Sequence, residues 1–170
     1  MSDFIKREIA DYIIAALCAC RDLDTVKLFI RGGSPMDVPS HLYPFAEVIV
    51  DEENVDEELT GGTYGQTYVG LITFNVEVAQ NANGDWLEMT GDRRATLPSY
   101  DAVEELVHYA RGELQKAEHR AMGDLTVHQE KVHRFSLTSP IIYAIEPSAR
   151  TNNWSNSGSI SFEIETERVG

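Results

Sequence analysis

The chain has 170 residues, enough for one domain with a real core. Its 42% hydrophobic and 25% charged fractions are those of an ordinary globular protein. The 28 Asp and Glu residues outnumber 14 Lys and Arg, for a net charge of -14. That balance argues against a direct grip on nucleic-acid phosphates and against anionic membrane surfaces.

An acidic surface of this kind keeps a protein soluble, and it also suits a channel wall along which DNA slides without sticking. Lys is scarce, with four against ten Arg. Acid-rich, Lys-poor surfaces suit a high-salt cytoplasm, where screening relieves self-repulsion. The N-terminal MSDFIKRE is charged, and the apolar run Tyr12 to Ala19 is too short to span a bilayer. Cys18 and Cys20 lie two residues apart in a helical pattern, which points them to different sides and disfavours a mutual disulfide. An intracellular protein with free thiols is therefore expected. The sequon Asn153-Trp154-Ser155 reads as a chance match.

In chain order, the spacing of Ile5, Ile9, Tyr12, Ile13, Ala16, Leu17 and Cys20 predicts an amphipathic helix over Asp3 to Cys20. Ser2 or Asp3 can cap it. Val26, Leu28 and Ile30 alternate against Lys27, Phe29 and Arg31, which predicts a strand ended by Gly32-Gly33-Ser34-Pro35. No Lys-Ser or Lys-Thr follows those glycines, so they are not read as a phosphate loop.

Tyr43-Pro44-Phe45 leads into a second strand, Ala46 to Val50. Then come six acids in eight residues: Asp51, Glu52, Glu53, Asp56, Glu57 and Glu58. Mutual repulsion predicts a solvated loop there, and the alternating donors and glycine bend of a calcium loop are absent. Thr60 to Gly65 supplies a flexible bend. The stretch Gln66 to Ala79 follows, with Tyr68, Ile72, Phe74, Val76 and Val78 on one face and Thr67, Thr73, Asn75 and Glu77 on the other. Its fourteen residues far exceed the usual strand of about five or six. It reads as a central strand, or as one that reaches a neighbour. Residues 46 to 79 thus read as a hairpin with a long acidic tip.

Asn81 to Pro98 reads as polar and irregular, with a turn at Asn83-Gly84-Asp85. Trp86, Leu87 and Met89 are expected under the sheet, and the basic pair Arg93-Arg94 at the surface. A second helix is capped by Ser99, carries an apolar stripe of Val103, Leu106, Val107, Ala110 and Leu114, and is expected to end near Met122-Gly123. His108 lies off that stripe. His119, His128 and His133 lack zinc-ligand spacing and read as surface residues. Thr126 to Leu137 is ambiguous. Thr138 to Glu146 is apolar on both faces near its middle and reads as a central strand ended by Pro147. Arg150 to Gly158 reads as a polar bend around Trp154. The last strand, Ser159 to Arg168, alternates Ile160, Phe162 and Ile164 against Ser161, Glu163, Glu165 and Glu167.

The expected fold is α+β, in the order α-β-β-β-α-β-β: a mainly antiparallel sheet with two helices on one face, over a single domain spanning 1–170. The long strand and the last strand are expected to offer edges for pairing between subunits. No nucleophile elbow, metal-ligand cluster or glycine-rich cofactor turn stands out. No enzyme, cofactor or metal is expected.

This order resembles the tail terminator (tail completion) proteins of tailed phages and related viruses. The resembling pieces are the helix Ile5 to Leu17, the hairpin Tyr43-Pro44 to Val78 with its long loop, and the helix Tyr100 to Leu114. A C-terminal pair completes them: Ile141-Ile142-Tyr143, then Thr151-Asn152-Asn153-Trp154 running into Ile160-Ser161-Phe162-Glu163-Ile164. The likeness covers nearly the whole chain in element order and carries little motif specificity. It implies a structural virion protein that forms a homo-oligomeric ring, typically a hexamer, at the head-proximal end of the tail tube. Such a ring ends tube polymerisation and joins the tail to the neck. It implies as partners the tail tube protein and a head-completion or connector protein, with genomic DNA passing the lumen unbound. It places the protein in the virion, assembled in the host cytoplasm.

Within that reading, Asp51, Glu52, Glu53, Asp56, Glu57 and Glu58 are expected at the lumen or a ring contact, and Trp154 as a packing anchor. These assignments come from the residues and not from the family. The alternatives are another head–tail joining or neck subunit, a small acidic binding module such as a DNA mimic, or an unrecognised enzyme.

Overall fold

A computed structural model of the chain describes residues 2–32, 38–59, 63–78, 98–147 and 154–169. Helix α1 spans Ser2–Cys18, strand β1 Leu28–Arg31, β2 Phe45–Leu59, β3 Thr63–Val78, helix α2 Pro98–Leu114, β4 Thr126–Val127, β5 Glu130–Pro147 and β6 Trp154–Arg168. The α+β order holds, with one added two-residue strand, β4. The strands form a single sheet in the order β1-β2-β3-β6-β5-β4. Only β1 and β2 run parallel, and the other neighbours are antiparallel. No described helix is long and apolar enough to cross a membrane.

Both helices bury their apolar stripes on one face of this sheet. Ile5, Ile9, Ile13 and Leu17 of α1 are fully buried, as are Val103 and Ala110 of α2. From the sheet, Tyr68, Ile72 and Phe74 of β3 and Ile160, Phe162 and Ile164 of β6 meet them. Burial of each such large side chain contributes about 1.5–3 kcal/mol. The period-two patterning of β3 and β6 is therefore seen directly in the core: successive residues alternate between the helix-covered face and the opposite one.

A polar lid closes one end of this core. The Tyr68 hydroxyl and the Thr166 Oγ1 each donate to Glu130 Oε1 at 2.7 Å. Thr166 is 1% exposed, and its hydroxyl also accepts from the Gln66 N–H at 3.3 Å, so it is well satisfied. At the other end Asn156 Nδ2 donates to Ser99 Oγ at 2.5 Å, joining β6 to the first turn of α2.

Several sequence expectations need correction. The acidic run 51–58 is not a loop: β2 continues to Leu59 and pairs with β3, Asp51 opposite Val69, Glu52 opposite Tyr68 and Glu58 opposite Tyr64. Backbone pairing with the long β3 outweighs the mutual repulsion that argued for a loop, and two register shifts, between Glu52/Asn54 and Val55/Glu58, absorb the irregularity. The strand expected from Thr138 begins at Glu130, and its period was hidden by a shift between Val132 and Arg134. It is not central either. Among the described residues only the two of β4 lie outside it, at Glu130 and Lys131, and Ile142 is 56% exposed.

The polar residues 154–158 belong to β6, since Trp154 pairs with both Val78 and Pro147. Helix α2 stops at Leu114, because Lys116 takes extended geometry (φ -60°, ψ 143°) and ends the run. Helix α1 likewise stops at Cys18, and β1 starts only at Leu28. The expected turns at 33–35 and 60–62, the segment 81–97 with Trp86, Arg93 and Arg94, and the bend at 150–153 lie outside the described residues.

Candidate assembly interface

The face of the sheet turned away from the helices has no covering element among the described residues. Register fixes its rows. One row runs Asp51, Val69, Glu163, Ser136; the next runs Ile49, Leu71, Ser161, Thr138; the third runs Glu47, Thr73, Ser159, Ile142. Its centre is aliphatic and hydroxylic: Leu71 is 37% exposed, and Thr73 Oγ1 and Ser159 Oγ lie 2.9 Å apart. Acids dominate the surround, with Glu47, Asp51 and Glu77 on the β2–β3 side and Glu163, Glu165 and Glu167 along β6. Their basic counterparts stand on β5, where Arg134 sits opposite Glu165 and Lys131 opposite Glu167.

A sheet face of this composition is suited to association. Exposed aliphatic side chains favour burial, and a partly compensated acidic rim selects what can approach. Sequence reasoning found the acidic half of this face in the alternation of β6. It missed the aliphatic half, because Val69 and Leu71 place apolar residues on both sides of β3.

Of the six acids expected at a lumen or ring contact, Asp51 is exposed on this face. For Glu52, Glu53, Asp56, Glu57 and Glu58 the backbone places them along β2 beyond the reach of β1, which pairs only with Phe45 to Val48. Trp154 opens β6, but its packing lies outside the described side chains. The pairing edges expected on β3 and β6 are not edges. These strands are neighbours at the centre of the sheet, each paired on both sides. Among the described residues, the strand lengths open on one side include the outer sides of β1 and β4, the distal half of β2 and the length of β5 beyond β4.

The histidines divide. His108, His128 and His133 are exposed, as expected. His119 is 7% exposed and lies in a short turn after α2. Its Nδ1 is 2.8 Å from the Tyr12 hydroxyl on α1, and its Nε2 is 3.3 Å from Glu113 Oε1 on α2. Lys116 Nζ lies 2.5 Å from the other Glu113 oxygen and holds that carboxyl below its ordinary range. Burial, with Glu118 and Glu113 nearby, pushes the Tyr12 phenol up. No zinc-ligand spacing in the sequence signalled this cluster, and its Tyr12 contact forms when the turn packs against α1.

No protein-family model matches the chain, and no curated protein matches it. Among solved structures, it is similar to a chain of the virion of a native gene transfer agent (GTA) particle. The TM-score is 0.50 and the identity 10%, over 93% of this chain and 93% of that one. The likeness is one of fold. It runs nearly end to end in both chains, so it takes in the helices and the sheet together.

Proposed function

We propose that this chain is a structural virion protein acting as a tail terminator: a ring at the head-proximal end of the tail tube that ends tube growth and joins the tail to the neck. The observation that carries the reading is the fold shared with a gene transfer agent virion chain over 93% of both lengths. An open sheet face with an aliphatic centre and acidic rim supports it as well.

In this reading the protein associates and performs no covalent step. Copies assemble as a homo-oligomer, a hexamer, in contact with the tail tube protein on one side and a head-completion or connector protein on the other. Acidic residues, Asp51 and the rest of the 51–58 run among them, face the lumen or a ring contact. There they repel DNA phosphates and let the genome pass without sticking. The protein then resides in the virion after assembly in the host cytoplasm.

The test is co-assembly. The purified chain is added to polymerising tail tubes, and tube lengths and ends are imaged. The reading requires density at one end of each tube and arrested growth. Tubes that grow on, with bare ends, would refute it and turn attention to a basic protein partner or a substrate.

A further inference from the structure

We infer that Glu113, Glu118 and His119 form a binding site for one divalent transition-metal ion, with Zn2+ the best fit to the donor set. The three ligand atoms lie within 4.8 Å of one another. His119 Nε2 is 3.3 Å from Glu113 Oε1 and 3.7 Å from Glu118 Oε1. Tetrahedral zinc with bonds of about 2.0–2.2 Å sets its ligands about 3.3–3.6 Å apart. The two spacings from His119 lie close to that edge, and the two carboxylates, within 4.8 Å of each other, close on the ion through the exposed Glu118 arm. One imidazole nitrogen and two carboxylate oxygens suit a borderline ion such as Zn2+, and a set this small and nitrogen-containing does not suit Ca2+ or Mg2+.

The surroundings are arranged as such a site needs. A ligating histidine uses one ring nitrogen for the metal and fixes its orientation through the other. Here Nδ1 is engaged by the Tyr12 hydroxyl at 2.8 Å, which leaves Nε2 turned toward the two carboxylates. The Tyr12 and His119 rings stand edge to face at 79° with centroids 5.7 Å apart, which further fixes the imidazole. Lys116 engages Glu113 through Oε2, so Oε1 remains directed at the histidine.

Glu118 is the exposed arm, with its side chain 67% accessible, and gives an ion a route in from solvent. Glu113 belongs to α2, Glu118 and His119 to the following turn, and Tyr12 to α1. A bound ion would therefore clamp that turn to both helices. This inference is independent of the ring reading.

The experiment uses tag-free, metal-stripped protein. It is titrated with ZnCl2 by calorimetry, and with Co2+ while visible absorption is followed. The expected result is one Zn2+ per chain, a raised melting temperature and a tetrahedral Co2+ spectrum. Glu118→Gln, at an exposed position that leaves the fold intact, should lower Zn2+ affinity at least about tenfold, and Tyr12→Phe by about 10–100-fold through loss of the outer hydrogen bond. Failure to bind one equivalent, or binding that Glu118→Gln leaves unweakened, as scattered surface histidines would give, overturns the inference.

Discussion

Gly158 of β6 lies directly beneath Val107 of α2: a Cβ built on the glycine would sit 2.8 Å from Val107 Cγ2 and 2.7 Å from Val103 Cγ1. The helix approaches the sheet this closely because the strand presents no side chain there. Two valines are stiff at χ1 and cannot swing aside. Gly158→Ala should therefore destabilise the fold by about 1–3 kcal/mol through overpacking, read as a lower urea midpoint at unchanged slope. An unchanged midpoint would show that α2 floats over β6 and does not seat on it.

Gly112 is the opposite case. It is exposed in the last turn of α2, and a Cβ there meets nothing within 4 Å. With no close neighbour to accommodate, the glycine only adds backbone freedom to the unfolded chain. Gly112→Ala should stabilise by about 0.5–1 kcal/mol. Thermal unfolding measures it, and a fall in melting temperature would mean that the bare surface is used by something the alanine obstructs.

The pair Glu113–Lys116 makes stability depend on pH at both ends. The Glu113 carboxyl is held below its ordinary value of 4.5, chiefly by its hydrogen bond from Lys116. Its contribution is thus present above that ordinary value and is lost as pH falls through the lower folded value. The Lys116 ammonium is raised above its ordinary 10.5, chiefly by Glu113, so its contribution holds below that value and is lost as pH rises through the higher one. Denaturant midpoints of the wild type and Glu113→Gln, followed from pH 7 downward, should keep their gap to about pH 4.5 and converge as pH falls further, through the lowered Glu113 value. A gap that persists in acid would assign the effect of the substitution to shape and not to charge.

The helices were readable in the sequence because each buries one stripe against a sheet. Ile5, Ile9, Ile13 and Leu17 recur at helical spacing, and so do Val103, Leu106, Val107, Ala110 and Leu114. Strand β3 and the second half of β6 were readable for the matching reason, one covered face and one open face. What stayed hidden depended on distant partners. The acids of β2 look like a loop until β3 is laid beside them. Ser155 to Gly158 look like a bend because a glycine and small polar residues are what a closely seated helix leaves room for. The first half of β5 loses its alternation at a register shift. At the interface, the acidic rim on β6 was legible, while Leu71 on the open face of β3 and the buried His119 were not. Their positions follow from pairing and from chain reversal, and neither leaves a local pattern.

The measurement that bears most directly on the ring is particle mass, taken across concentration and salt, without and with tail tubes, and followed by imaging. The account predicts a closed ring of roughly six times the 19.0 kDa chain mass, free in solution or formed on tube ends. A monomer or dimer under every condition, never joining tubes, would contradict it.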